Sequence, residues 1–288
     1  MIDWTESLVD DIARRKCILF LGAGVSMNSI GNNGSRPPGW RAFLENCMSG
    51  LQKTQQIKKL IGNEDYLTAC ELIKSKLAKG KFDTLLRKSF LEPQYKHASL
   101  HQHLFKLDCR IVLTPNFDKI YETFVTTETQ GTVVVKNYYD QDIVTAIKGD
   151  GRVIIKTHGT VDNTQSLIFS RGDYARARSQ NRDFYELLNA LSLTNTFLFV
   201  GCGVNDPDIR LLLEDSFFKH NATKPHFMIS SDKGVHKEMI PVIEDTLNLN
   251  ILQYREQKGS HEELINSFSE LVGLVDIKRN ILKETMNW

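Results

Sequence analysis

Residues 17–26 read Cys17-Ile18-Leu19-Phe20-Leu21-Gly22-Ala23-Gly24-Val25-Ser26, and this stretch decides the fold. Five consecutive apolar residues without alternation describe a strand buried on both faces, as in a parallel sheet covered by helices. The Gly-x-Gly turn that follows lacks Cβ atoms at two positions, so backbone N–H groups there can approach an anion. A helix starting at the turn adds its positive end, and the stretch reads as a nucleotide phosphate site. The third glycine of the dinucleotide fingerprint is absent, so a tight strand-to-helix turn fits the same residues.

Working outward, the strand pattern recurs. Ile111-Val112-Leu113, Val133-Val134-Val135, Val153-Ile154-Ile155-Lys156, Thr196–Val200, His226–Ser230 and Leu249–Tyr254 are predicted strands, with Leu167-Ile168-Phe169 a further short one. Helices are predicted over residues 3–16 (Trp4, Leu8 and Ile12 on one face), 183–193 and 261–275. Strand–helix alternation of this kind predicts an α/β fold, a Rossmann-like doubly wound parallel sheet. Between the first two strands, residues 40–107 carry only helical patterns, over 40–52, 55–61, 65–76, 82–90 and near 97–107. That is too much helix for a simple crossover and predicts an inserted helical subdomain. The expected organisation is a single domain over 1–288. It has a Rossmann-like core of 15–39 and 108–256, the insertion at 40–107, and C-terminal helices over 257–288. The loop from Asn28 to Gly39, rich in Asn, Gly, Ser and Pro, is an expected flap over the ligand.

Bulk properties narrow the function classes. The chain has 288 residues, 41% hydrophobic and 25% charged, as an ordinary globular protein does. A net charge of +1 does not point to nucleic acid, and no direct nucleic-acid binding is expected. No apolar run is long enough to cross a membrane, and Met1-Ile2-Asp3-Trp4 does not open a secretory leader. The five cysteines are scattered without a Cys-x-x-Cys pair, which predicts reduced thiols, a cytoplasmic location and no zinc ribbon.

Four unusual segments each follow a predicted strand directly. They are Gly22–Ser26, Thr114-Pro115-Asn116-Phe117-Asp118, Thr157-His158-Gly159-Thr160 and Gly201-Cys202-Gly203-Val204-Asn205-Asp206-Pro207-Asp208. Ligands in open α/β sheets gather at the C-terminal ends of strands, so these four predict one composite site. Asn116 offers an amide to a ribose hydroxyl or a water, and Asp118 a carboxylate to orient it; both residues also suit a helix cap. His158, at a strand end in a glycine-bearing loop, is placed as a base. Pro207 is positioned to open a helix. His97, His101 and His103 lie near Asp108 and Cys109, but without zinc-like spacing; a solvated helix face and no metal are expected. Arg171, Arg176, Arg178 and Arg182 read as a solvated or partner-facing basic stretch.

Taken together, the four loops resemble the sirtuin family. Gly22-Ala23-Gly24-Val25-Ser26 resembles its Gly-Ala-Gly-x-Ser turn around the NAD pyrophosphate. Thr114-Pro115-Asn116-Phe117-Asp118 resembles its Thr-x-Asn-x-Asp segment beside the nicotinamide ribose, and His158-Gly159 its catalytic His-Gly. The paired cysteines of the deacylating members are absent, and Gly-Cys-Gly stands where those members have Gly-Thr-Ser. This form, with the helical insertion, is similar to the bacterial sirtuin-like branch that hydrolyses NAD in anti-phage defence, most of all to the kind paired with a HerA-type translocase.

The resemblance implies a glycohydrolase that cleaves the nicotinamide–ribose bond of NAD, consumed as substrate. It implies Asn116, His158 and Asp118 as catalytic residues. Gly22, Ala23, Gly24, Ser26 and Thr114 would bind NAD, with Gly201, Cys202 and Gly203 on the adenosine side. It also implies a homo-oligomer and a partner that restrains the activity. A regulatory module that senses NAD or ADP-ribose without turnover, and an NAD-dependent protein deacylase, are the alternative readings.

Overall fold

In the computed structural model the chain is described over residues 1–204, 209–210, 212–213 and 224–286. Seven strands form one sheet: β1 (Cys17–Leu21), β2 (Ile111–Thr114), β3 (Val134–Asn137), β4 (Val153–Lys156), β5 (Thr196–Val200), β6 (His226–Ser231) and β7 (Leu249–Tyr254). Their order is β3-β4-β2-β1-β5-β6-β7, and every pairing is parallel. From β1 the chain passes to β2, skips to β3 at the edge, comes back to β4 between them, and then crosses to β1's other side with β5. The strand order therefore reverses beside β1, where open α/β sheets place their ligands.

The unbroken apolar runs follow from burial on both faces. All five β1 residues are buried. Leu19 and Leu21 turn to one core with Val112, Ile154, Leu198 and Val200. Ile18 and Phe20 turn to the other with Leu113, Ile155, Phe197 and Phe199. The first core is closed by the helices Glu6–Ala13, Ser99–Lys106 and Glu262–Glu284, which contribute Leu8, Ile12, Leu104, Phe268, Leu271 and Val275. The second is closed by Arg171–Gln180 and Arg182–Thr194 through Tyr174, Ala177, Phe184 and Leu188.

Residues 40–106 contain the helices Trp40–Met48, Gln55–Gly62, Tyr66–Lys76, Lys81–Phe90 and Ser99–Lys106, with no strand. Four of these share a third core, in which Phe43, Leu44, Ile57, Ile61, Ile73 and Leu86 pack together. That core is joined to the sheet by Phe117, from the loop after β2, and by Leu167 and Phe169, from the segment after β4. The helices thus sit over the C-terminal edge of the sheet.

Three expectations need correction. Leu167-Ile168-Phe169 is not a strand: it follows a 3-10 turn at Thr164–Ser166, and Ile168 N–H donates to the His158 carbonyl at 3.1 Å. Its apolarity comes from burial against the helices. The C-terminal helix runs from Glu262 to Glu284, well beyond residue 275, and contains no proline to stop it, Gly273 being accommodated within it. The first helix is shorter than 3–16. It starts after Thr5, whose hydroxyl accepts from Leu8 N–H, and it is over before Arg15 turns left-handed (φ 56°). Asn205–Asp208, and the helix expected from Pro207, lie outside the described residues.

Candidate active site

The loops after β1, β2, β4 and β5 meet at one cavity of about 130 Å³. Gly22, Ala23, Ser26, Asn116, Asp118, His158, Gly201, Cys202 and Gly203 line its polar side. Trp40, Phe43, Phe90, Phe117 and Phe169 line the other, together with Pro37, Pro38 and Gly39 from the end of the 28–39 loop. That size matches a single ring (an apolar cavity of about 150 Å³ holds benzene). A wider cleft adjoins the cavity at Trp40 and Gly203 and is bordered by Arg171 and Arg178.

The glycine turns are built against each other. Gly22 N–H donates to the Val200 carbonyl and Gly24 N–H to the Gly201 carbonyl, both at 2.9 Å. A Cβ on Gly22 would stand 2.5 Å from the Gly201 oxygen, and one on Gly201 would stand 2.5 Å from Val25 N. Gly201 is also left-handed, at φ +68°. These glycines are therefore required by contact between the β1 and β5 turns, before any ligand is considered. Gly24 and Thr114 do not line the cavity. Thr114 Oγ1 donates to the Leu21 carbonyl at 2.7 Å and accepts from Asn116 N–H at 3.1 Å, tying β2's end to β1's.

A buried hydrogen-bond chain orients the β2 loop. Asn116 Nδ2 donates to the Gly22 carbonyl at 2.9 Å and to Ser26 Oγ at 3.0 Å. Ser26 Oγ in turn donates to Asp118 Oδ2 at 2.8 Å, and Asp118 Oδ1 accepts from Ile120 N–H at 3.0 Å. A carbonyl can only accept, so the amide orientation of Asn116 is settled by Gly22. Both amide hydrogens are spent inside the protein, and Oδ1 is the atom left for a ligand. Asp118 therefore accepts from the first N–H of the helix Ile120–Glu128 with one oxygen and from Ser26 with the other.

His158 is buried, its Nε2 lying 3.2 Å from Tyr174 Oη and its ring edge-on to the tyrosine. Tyr174 is carried by the helix Arg171–Gln180, whose N-terminus is capped by Ser170 and Asp173. Sequence reasoning missed Tyr174, although a Ser-x-x-Asp capping pair just before it was a usable signal. It also missed Lys156 and Glu122, a buried ion pair at 2.6 Å directly behind the loop. Burial pushes the Glu122 carboxyl upward, and the Lys156 ammonium opposes that shift.

One surface expectation is also corrected, at His101. His101 is fully buried, its Nδ1 accepting from Ala98 N–H at 3.1 Å, and desolvation pushes its pKa down to about 4. His97 stacks on Phe124 with ring centroids 4.2 Å apart. The arginine stretch stays at the surface as expected, with Arg171, Arg176 and Arg182 exposed and Arg178 half-buried, though three of the four also have partners within the protein. Arg171 pairs with Asp65 at 3.0 Å, Arg176 with Asp173 at 3.4 Å, and Arg178 lies over the Tyr174 ring. Among the described residues, no group of three or more His, Cys, Asp or Glu side chains could hold a metal ion. Nor is any helix there long and apolar enough to cross a membrane.

Residues 110–252 match the family described as the SIR2-like domain, a span holding the Asn116, His158 and Gly201 loops but not the Gly22 turn. The chain is 25% identical over 224 residues to the NAD(+) hydrolase ThsA of Enterococcus faecium, covering 76% of this chain and 44% of that protein. It is 20% identical over 281 residues to defense-associated sirtuin 2 of Bacillus subtilis, covering 96% of this chain and 27% of that protein. It is 24% identical over 213 residues to the NAD(+) hydrolase ThsA of Bacillus cereus (strain MSX-D12), covering 73% and 41% respectively. The chain spans less than half the length of each of these relatives. By these comparisons the chain is similar to SIR2-like proteins of the NAD(+) hydrolase and defence-associated kind.

Proposed function

We propose that the protein is an NAD⁺ glycohydrolase of anti-phage defence, which breaks the bond between nicotinamide and ribose to release nicotinamide and ADP-ribose. One observation carries the reading: Asn116 and His158, far apart in the chain, line the same ring-sized cavity as the Gly22 turn. The similarity to NAD(+) hydrolases supports the choice of substrate.

The chemistry asks little of a general acid, because nicotinamide leaves as a neutral ring from a cationic one. The nitrogen–carbon bond breaks with its electron pair going to the ring, and the sugar carbon gains oxocarbenium character. Water supplies the new oxygen, and one proton is released overall. The aromatic wall fits the nicotinamide ring, with π faces suited to a cation. Asn116 Oδ1 is assigned to the ribose hydroxyls and the attacking water, and His158 to the proton, taken from water or from a ribose hydroxyl. Asp118 orients Asn116 through Ser26. The cavity has room for the nicotinamide ring alone, so the ribose would sit at its mouth and the rest of the dinucleotide would pass Gly22, Ala23 and Ser26 toward Gly201, Cys202 and Gly203.

We assign residues 15–39 and 108–256 to the nucleotide-binding core, 40–107 to the helical insertion that covers it and 257–288 to a C-terminal segment built on the one helix Glu262–Glu284. Restraint of the activity by self-assembly or by a HerA-type ATPase, and a cytoplasmic site of action, belong to the same proposal. Incubation with NAD and separation of the products tests it: nicotinamide and ADP-ribose should appear in equal amounts. Tight calorimetric binding of NAD without product would instead favour a sensing module, and product only with an acyl-lysine peptide would favour a deacylase.

A further inference from the structure

Lys156 is the last residue of β4, is 1% exposed, and stands two positions before His158. Its Nζ donates to the Asp118 backbone carbonyl and, at 2.6 Å, to Glu122 Oε2 in the first turn of the helix Ile120–Glu128. One ammonium therefore joins the strand that carries His158 to the loop and helix that carry Asn116 and Asp118. From Asp118 the chain of bonds continues through Ser26 Oγ to the Asn116 amide.

Stability alone is a weak reason for such a pair. Desolvating two charges costs about as much as their attraction returns, and apolar replacements of similar volume are often neutral or stabilising. The two loops are already joined by Thr157 N–H to the Thr114 carbonyl (2.9 Å) and Val161 N–H to the Phe117 carbonyl (3.0 Å). Both of those bonds fall before Asp118 and leave the peptide at its carbonyl to Lys156. The ammonium acts at that peptide, from which the carboxylate orienting Ser26 and Asn116 projects.

We propose that Lys156 and Glu122 are positioning residues, a buried clamp that sets the placement of Asn116 relative to His158. The inference rests on the reading that those two side chains act on the ligand. Neither Lys156 nor Glu122 lines the cavity, so both act through other residues.

The test compares wild type with Lys156→Met/Glu122→Met, which removes both charges together, and with Glu122→Gln, which keeps an acceptor for Lys156. The double variant is expected to melt near the wild-type temperature and keep its KM for NAD. Its kcat should fall by about tenfold to a hundredfold, the scale of a small misplacement of a catalytic group. Glu122→Gln should recover part of that loss. A folded double variant with wild-type kcat overturns the clamp. Amide hydrogen exchange provides a readout independent of turnover. The amides of residues 116–119 should exchange at least about tenfold faster in the double variant, or in Glu122→Gln if the double variant does not fold, while β1 and β5 stay protected. Unchanged exchange in that loop overturns the clamp even if wild type proves not to hydrolyse NAD. A wild type inert toward NAD with a loosened variant loop overturns the glycohydrolase reading alone.

Discussion

Asn116 Nδ2 lies 3.0 Å from Ser26 Oγ, a bond between the loop after β2 and the turn after β1. Ser26 passes that bond to Asp118, so the amide cannot rotate without breaking a buried network. This relationship turns a residue suited to a helix cap into a fixed acceptor at the cavity wall.

Asn116→Ala should abolish that acceptor and lower kcat by about a hundredfold or more, the range for removing one preorganised polar group at a reacting centre. Asn116→Asp should lose activity too, because its oxygens would face the Gly22 carbonyl. Nicotinamide release at saturating NAD, with circular dichroism to confirm folding, checks both.

His158→Ala should lose about a hundredfold to ten-thousandfold in turnover, the usual contribution of a general base. Tyr174→Phe removes only the phenol oxygen facing Nε2 and should weaken the site by about 1 kcal/mol, a loss of several-fold. Equal losses in the two variants would mean that the phenol itself is required in the reaction.

The glycines separate fold from binding. Gly201→Ala must place a side chain in left-handed backbone, at a cost of about 1–2 kcal/mol. It must also drive a Cβ to 2.5 Å from Val25 N, so it should lower the melting temperature markedly. A Cβ on Gly203 meets nothing within 4 Å, so Gly203→Ala should melt as wild type does. Any fall in NAD affinity in that variant would then report contact with the ligand. Thermal melts and calorimetry on the two proteins decide it.

Acid should destabilise the fold from neutrality downward. His101 and His226 are both held near a pKa of about 4 by burial, against about 6.5 when unfolded. Between those values the unfolded chain binds protons that the native one refuses. Their contribution is therefore present above about pH 6.5 and is lost as pH falls through 4, up to about 1.4 kcal/mol per pH unit for each. Glu122, raised by burial, works in the opposite direction over part of that range. Urea midpoints measured from pH 7 to pH 4 should fall. His226→Gln should flatten the slope if its amide oxygen replaces Nδ1 as acceptor for Phe197 N–H.

The opposite edge of the sheet supplies a control. Asp108 receives Arg15 at 2.5 Å and Arg152 at 2.6 Å, with Arg279 at 3.9 Å. Asp108→Asn keeps a residue that tolerates its φ of 55° but removes the charge. It should cost about 1–3 kcal/mol in denaturant unfolding and leave kcat unchanged.

The fold was legible where burial on both faces leaves an apolar run, as in Cys17–Leu21, Val153–Lys156 and Thr196–Val200. Leu167-Ile168-Phe169 shows the limit of that signal, because a buried irregular segment has the same composition as a buried strand. The loops at Asn116 and His158 could be placed from their positions at strand ends. Their supports could not: Lys156 and Glu122 look like surface charges until the fold buries them together. Tyr174 lay inside a stretch read for its arginines, and His101 inside a helix read as solvated.

The most direct test is product release from NAD in water enriched in heavy oxygen, comparing wild type, Asn116→Ala and His158→Ala. The account predicts that wild type releases nicotinamide and ADP-ribose carrying solvent oxygen on the former nicotinamide ribose, while both variants stay folded and release almost none. Full turnover in both variants, or ADP-ribose without solvent oxygen, would contradict it.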